Sequence, residues 1–414
     1  MEKRIKAVQL SGKIQIRPSK SDGQRALLAA GLSQGRSIIY NVGQSADELT
    51  MVRNIQQFGA KVEIHDNHVI VDGSLSFPTK TTFNCGESGL GLRLMTSVCA
   101  VFEEEHTLIG EGTILNRSQQ FFIDYFPEMG VEIQSNKGKL PIVLHGHLKP
   151  GNYSVDGSQS SQYISGLLMV LPLLKGNSEL TVNDLKSKPY VDMTIDTLNA
   201  FGIEIQEEDN RYLIRGNQFY TATEYKVESD WSSASCWLAA AAIGQKIELS
   251  GLNIASKQAD VAILNALNAA NCNVEFLKDS IRVDGENRRA FNFDATDCPD
   301  LFPALVVLAI ACQGKSIIKG VQRLKNKESD RGKVLQQELK KLDVKIELYN
   351  DEMHICGGTL LKSAVVDSHS DHRIAMCLGI IGTLIEEGIT IKNSEAVNKS
   401  YPNFWEDLQN LFCD

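Results

Sequence analysis

A period of about seventy residues runs along the whole chain, and such a period limits the possible folds more tightly than any local motif. Short β-like segments, each after a turn or polar stretch, are centred on Ile38, Leu108, Leu180, Ile247, Ile317 and Ile389, at intervals of 70, 72, 67, 70 and 72 residues. Ahead of each lies an apolar run of helical length: residues 26–32, 92–102, 164–174, 234–243, 302–312 and 374–385. A helix apolar on every side belongs inside the protein. Behind each segment comes an amphipathic stretch, such as residues 47–58 or 191–201, whose apolar positions recur at helical spacing and predict a covering helix. Five covering helices run into Gly59, Gly130, Gly202, Asn271 and Asp343, residue types that accept the left-handed conformation after a helix. An alternating strand follows each of these, and a second strand returns, as at residues 68–72 or 211–215. The sixth covering helix, residues 403–412, has no hairpin after it. Residues 6–16 read as that hairpin, so the N-terminal segment is expected to complete the last repeat.

Six units divide most simply three and three, because a single core rarely grows past about 250–300 residues. The expected fold is α/β: two similar domains of three βαβαββ units with buried helices, one spanning residues 18–228 and the other residues 1–17 plus 229–414. Composition agrees, with 414 residues that are 43% hydrophobic and 22% charged, an ordinary globular balance. The first residues lack the apolar core of a signal peptide. The longest apolar stretches, residues 167–174 and 304–312, fall short of the roughly 20 needed to span a membrane. A cytoplasmic location away from membranes is expected. Nine cysteines without a Cys-x-x-Cys pair read as reduced thiols. A net charge of -9 excludes a general nucleic-acid binder, so an anionic ligand must meet a local basic cluster.

The loops that enter the six buried helices are all polar. They contain Pro18-Ser19-Lys20-Ser21, Gly86-Glu87-Ser88-Gly89, Ser158-Gln159-Ser160-Ser161-Gln162, Ser229-Asp230-Trp231-Ser232-Ser233, Asp297-Cys298-Pro299-Asp300 and Ser368-His369-Ser370-Asp371-His372-Arg373. Helix N-termini expose unpaired N–H groups and partial positive charge, so several of them together make an anion site. Capping alone accounts equally well for Asp230, Ser232 and Ser233. It does not account for Lys20, Arg25, Arg93 and Arg373, cations placed where the helix dipole disfavours them; an anionic ligand between cation and dipole does. Arg117, Lys327, Arg331 and Lys399 stand in further short polar contexts. On its own, Lys327-Glu328-Ser329-Asp330-Arg331 reads as a solvated helix start with an i, i+4 pairing; the company of the other cations favours a site. Phosphate-loop, dinucleotide and paired-histidine metal motifs are absent from the sequence, and no cofactor or metal is expected.

These residues resemble the enolpyruvyl transferases, and among them the shikimate-pathway synthases most specifically. The resemblance spans essentially the whole chain. It is carried by Ser19-Lys20-Ser21 with Arg25-Ala26-Leu27-Leu28, Asp156-Gly157-Ser158-Gln159-Ser160-Ser161-Gln162, Ser187-Lys188-Pro189-Tyr190, Lys327-Glu328-Ser329-Asp330-Arg331, Asp371-His372-Arg373-Ile374-Ala375-Met376 and Lys399-Ser400-Tyr401-Pro402. It implies two domains closing over a cleft, and transfer of the enolpyruvyl group of phosphoenolpyruvate to the 5-hydroxyl of shikimate-3-phosphate. Phosphate would leave by addition and elimination through a tetrahedral intermediate. On this resemblance Lys20, Gly89, Arg117, Gln162, Arg331, Arg373 and Lys399 surround phosphoenolpyruvate. Lys20, Ser21, Arg25, Ser160, Ser161, Gln162, Ser187, Asp300 and Lys327 hold shikimate-3-phosphate, and Arg93 is a further basic residue of the site. Lys20, Asp300 and Glu328 are the matching catalytic groups, Asp300 for the hydroxyl proton and Glu328 for C3.

Two carboxylates and two phosphates bring about six negative charges, against eight basic residues, and closure on substrate is the expected motion. Departures from the family pattern are Pro18, Glu87, Leu90, Ser118 and Arg323; Glu87 and Leu90 flank Gly89, and Arg323 either adds to phosphate binding or points away. A rival is the sister transferase acting on UDP-N-acetylglucosamine, which carries a reactive cysteine in the loop matching residues 110–117, where this chain has none. A rival of another class is a non-catalytic repeat protein that binds phosphorylated metabolites. The partners expected are small-molecule substrates, and the protein is expected to be a monomer.

Overall fold

A computed structural model describes residues 1–74 and 80–413. The chain forms two compact units, one of Pro18–Glu228 and one of Met1–Arg17 with Ser229–Asp414.

The unit Pro18–Glu228 holds three four-stranded sheets. In strand order these are Glu224–Lys226, Gly35–Tyr40, His68–Gly73, Lys61–Ile64; then Thr81–Asn84, His106–Ile109, Lys139–Gly146, Val131–Asn136; then Asn152–Asp156, Ser178–Asn183, Arg211–Ile214, Ile205–Glu208. In each, the first two strands are parallel and the remaining pairings antiparallel. Parallel neighbours need a crossover, which the helices Gly89–Cys99 and Ser161–Val170 provide in the second and third sheets. Together with Lys20–Leu32 these helices form the middle of one continuous core, where Leu27, Leu92, Leu94, Ile164 and Leu167 are fully buried. Each such leucine contributes about 1.5–3 kcal/mol over its exposed state. Close helix approach is built in by Gly166, where an added Cβ would lie 2.9 Å from the Arg93 carbonyl.

The second unit repeats the plan around the helices Trp231–Ala242, Phe302–Ile310 and His372–Gly382. Its sheets are Ser11–Gln15, Lys246–Ser250, Ser280–Asp284, Asn273–Phe276; Asn292–Asp294, Gly314–Lys319, Glu352–Gly357, Lys345–Tyr349; and a three-stranded one, Val365–Asp367, Ile389–Lys392, Glu2–Ile5. The six expected central strands are all present, and Gly59, Gly130, Gly202, Asn271 and Asp343 all take positive φ, from 62° to 102°.

The N-terminal segment corrects the expectation of a hairpin. Glu2–Ile5 does join the last sheet, antiparallel to Ile389–Lys392. Ser11–Gln15 instead runs parallel to Lys246–Ser250 as the leading strand of the fourth repeat. The reason is topological. The strand just before Trp231–Ala242 in sequence, Glu224–Lys226, is already paired with Gly35–Tyr40, so the parallel position beside Lys246–Ser250 is filled from the N-terminus. The sixth unit therefore departs from the full βαβαββ pattern. No helix among the described residues is long and apolar enough to cross a membrane.

Candidate active site

In the unit Pro18–Glu228, each buried helix starts on a serine cap. Ser19 accepts from the Asp22 N–H at 3.4 Å, Ser88 from Gly91 at 3.0 Å and Ser160 from Gln162 at 3.3 Å, which makes Lys20, Gly89 and Ser161 the first helical residues. Gln24 ties two of these starts together, donating to the Lys20 carbonyl and accepting from the Ser88 hydroxyl at 2.8 Å. Lys20 Nζ donates to Asp47 Oδ2 at 2.8 Å.

Gly89 is the point on which three of the expected groups, Arg93, Arg117 and Gln162, converge. A Cβ built there would lie 2.7 Å from Arg117 Nη1, 3.2 Å from Arg93 Nη1 and 3.7 Å from Gln162 Oε1. Arg93 donates to Gln162 Oε1 at 2.5 Å, and its guanidinium stands 4.8 Å from the centre of the Tyr163 ring, a cation–π contact. Two guanidiniums this close repel each other unless an anion lies by them. Glu87 turns to the loop that carries Arg117, accepting from the Thr113 N–H at 3.2 Å and hydroxyl at 3.1 Å. It thereby fixes the short 3-10 turn Gly112–Asn116 ahead of Arg117. Tyr163 donates to the Ser118 carbonyl at 3.0 Å.

Arg25 stands apart from this group. It donates to Thr194, Ser165 and the Tyr190 and Ser21 carbonyls, which commits four of its five N–H groups to the protein. Burial pushes its guanidinium down to about 10, against the pull of Asp22. Ser21 joins Arg25 through that carbonyl, at 2.8 Å. Ser161 is buried, and Ser187 is buried with φ of 56°, a conformation a non-glycine residue holds at some cost.

The other unit carries a cluster of different character. Arg331 is 1% exposed and binds three carboxylates: Asp300 Oδ1 at 2.6 Å, Glu328 Oε2 at 2.6 Å and Asp371 Oδ2 at 2.8 Å. The Lys327–Arg331 run is therefore no solvated helix start; Asp330 caps the helix Arg331–Lys340, and the side-chain pairing is Glu328 with Arg331 at i, i+3. Lys327 lies 3.2 Å from Asp300, Arg373 lies 3.4 Å from it, and Lys399 lies 3.7 Å from Glu328. Burial alone would raise the Asp300 carboxyl, but Arg373, Lys327 and Arg331 outweigh it and hold it well below the ordinary range. Burial lowers the Lys327 ammonium, with Arg331 and Arg323 adding to the effect while Asp300 and Glu328 oppose it; Arg323 thus acts on this cluster. Asp230 caps its helix by accepting from the Ser232 N–H at 3.1 Å, and the Ser233 hydroxyl joins the same carboxylate. Of the three residues read as caps, Ser232 turns its hydroxyl toward Arg373.

Asp371, Asp47 and Gln24 belong to these networks and were missed by sequence reasoning. Asp47 sits inside the capping box formed by Ser45 and Glu48, and Asp371 caps the helix that carries Arg373, so each carries an ordinary capping signal. No group of three or more His, Cys, Asp or Glu able to hold a metal occurs among the described residues.

The description of the EPSP synthase (3-phosphoshikimate 1-carboxyvinyltransferase) family fits residues 5–408. The 3-phosphoshikimate 1-carboxyvinyltransferase of Clostridium novyi is 36% identical, over 97% of this chain and 95% of the relative. That of Clostridium acetobutylicum is 38% identical, over 98% and 96%. An EPSP synthase structure from Acinetobacter baumannii matches with a TM-score of 0.82 at 23% identity, covering 99% of this chain and 98% of the other. The enolpyruvyl transferase NikO of Streptomyces tendae matches at 0.81 and 16% identity, covering 99% and 96%; these two likenesses establish the fold. With residues 5–408 matched by the family and the curated relatives covering nearly all of its length, the chain belongs to the EPSP synthase family.

Proposed function

We propose that this chain transfers the enolpyruvyl group of phosphoenolpyruvate to the 5-hydroxyl of shikimate-3-phosphate and releases inorganic phosphate. The observation that carries this reading is Arg331: one buried guanidinium holds Asp300 and Glu328, the two candidate proton-transfer groups, at 2.6 Å each. The convergence of Arg93, Arg117 and Gln162 on Gly89 supports binding of an anionic substrate there.

In the addition step the 5-hydroxyl oxygen bonds to C2 of phosphoenolpyruvate. Asp300 takes the hydroxyl proton, and Glu328, protonated from solvent as substrate draws Arg331 and Lys399 away from it, delivers that proton to C3. In the elimination step C3 returns its proton to Glu328, the bond from C2 to the phosphate oxygen breaks, and phosphate leaves with the proton held by Asp300. A carboxylate held as strongly ionised as Asp300 is a weak base. Substrate phosphate and carboxylate groups compete for Arg373, Lys327 and Arg331, the cations that hold it down. Binding therefore raises the basicity of Asp300 when it is needed. Lys20 and Arg117 face the phosphoryl group in this reading.

The test is to follow phosphate release with shikimate-3-phosphate and, in parallel, UDP-N-acetylglucosamine as acceptors, with a chelator present. Release with the shikimate acceptor alone is expected; release with the other acceptor alone, or with neither, contradicts the proposal. The same reading makes the protein a cytosolic monomer, which light scattering on the purified chain and fractionation of cells check.

A further inference from the structure

Ser232 is the second residue of the helix Trp231–Ala242, past the N-cap position at which a side-chain oxygen serves the helix end. That duty falls to Asp230. The Ser232 hydroxyl instead donates to Asp260 Oδ2 in a very short hydrogen bond and accepts from Arg373 Nη2 at 2.8 Å. Asp260 lies in the 3-10 turn Ala259–Ala262 and is 2% exposed; Ser232 is 7% exposed. A hydroxyl has one proton, so donation to Asp260 fixes which way the group faces and leaves its lone pairs for Arg373. Donation to a carboxylate also makes the oxygen a stronger acceptor.

Arg373 Nη2 is thus held by two arms, Ser232 at 2.8 Å and Asp300 Oδ2 at 3.4 Å. The second arm is the one that substrate disturbs, because Asp300 is the group assigned to proton transfer. The first ends on a buried carboxylate outside the proposed chemistry.

We infer that Asp260 is a positioning residue for this reaction, acting through the Ser232 hydroxyl to hold the Arg373 guanidinium in the orientation that receives phosphoenolpyruvate. The inference rests on the proposed function and on Arg373 meeting that substrate. Asp260 and Asp230 also favour the charged form of Arg373, in keeping with a carboxylate that acts at a distance.

Asp260→Leu, which keeps about the same volume without an acceptor, and Ser232→Ala each remove the directed acceptor. Each is expected to raise KM for phosphoenolpyruvate about tenfold, the effect of one charge-assisted hydrogen bond, with kcat within about threefold and KM for shikimate-3-phosphate unchanged. The double variant should be no worse than the poorer single one, because both act along one path. Ser232→Thr, which restores the hydroxyl, should recover most of the affinity. Additive losses in the double variant overturn the relay, as does an equal fall in kcat and both affinities together with the melting temperature, which marks a structural role. Arg373→Ala separates the two levels of the inference. If it raises KM for phosphoenolpyruvate while the Asp260 and Ser232 variants do not, the relay alone fails. If it changes nothing while phosphate release continues, the assignment of Arg373 fails and takes the relay with it.

Discussion

Apart from Lys20, which is paired with Asp47, the two units hold cations of the same kind in opposite company. In the unit Pro18–Glu228, Arg93 lies against the Gln162 amide, the Gly89 carbonyl and the Tyr163 ring, and Arg25 against hydroxyls and carbonyls. In the other unit Arg331 touches three carboxylates, while Lys327, Arg373 and Lys399 each lie near one. Positive charge among neutral walls concentrates field on an incoming anion. Positive charge interleaved with carboxylates is largely neutralised until a ligand re-partners it, and that exchange moves carboxylate basicity. The contrast suggests a division of work, with substrate grip in the first cluster and proton transfer in the second.

Asp300→Asn and Glu328→Gln break the contrast most sharply. Each removes a proposed proton-transfer group, so turnover measured by phosphate release should fall about 10²- to 10⁴-fold; a loss under threefold would place the chemistry elsewhere. Gly89→Ala acts on the other side. The added Cβ would stand 2.7 Å from Arg117 Nη1, forcing that guanidinium aside. KM for phosphoenolpyruvate should rise about tenfold or more with a smaller change in kcat, and an unchanged KM would show that the convergence on Gly89 is not a binding site. Gln162→Ala frees Arg93 from its amide and should raise the same KM by about three- to tenfold.

A pH test sharpens the contrast within the acids. Burial pushes Asp22 up to about 6, offset in part by the Glu228 N–H and the Tyr225 hydroxyl. Its folded value lies above its unfolded one, so as pH rises from about 4 to 6 the unfolded chain loses this proton first and stability falls. Relative to Asp22→Asn, the wild type should lose up to about 3 kcal/mol between pH 4 and pH 7, read from unfolding curves; a constant difference contradicts the burial. Asp300 has the opposite sign. Its lowered folded value contributes stability that is present above the unfolded value near 3.8 and is lost only as pH falls through the folded value.

The sequence made the repeat legible because its marks are local. Apolar helices recur at fixed intervals, and residues such as Asn271 and Asp343 end helices through backbone conformations their neighbours do not share. The fate of residues 6–16 was not legible, since alternation shows that Ile14 and Ile16 face inward without naming the partner strand. That partner is Lys246–Ser250, more than two hundred residues on. The candidate site was legible where a residue type contradicted its position, as with Lys20 and Arg93 near helix starts. It was illegible where two roles share a residue type. Nothing in the sequence sets Asp47, Asp260 or Asp371 apart from other acids, and only the fold brings a lysine, a serine and an arginine to them.

The most direct test of the division of work is calorimetric titration of Asp300→Asn with shikimate-3-phosphate. Asp300 competes with an incoming anion for Arg373, Lys327 and Arg331, so the variant is expected to bind at least as tightly as the wild type while turnover collapses. Binding that weakens in proportion to the lost rate would contradict the account and leave Asp300 only the substrate-holding role that the family resemblance also implies.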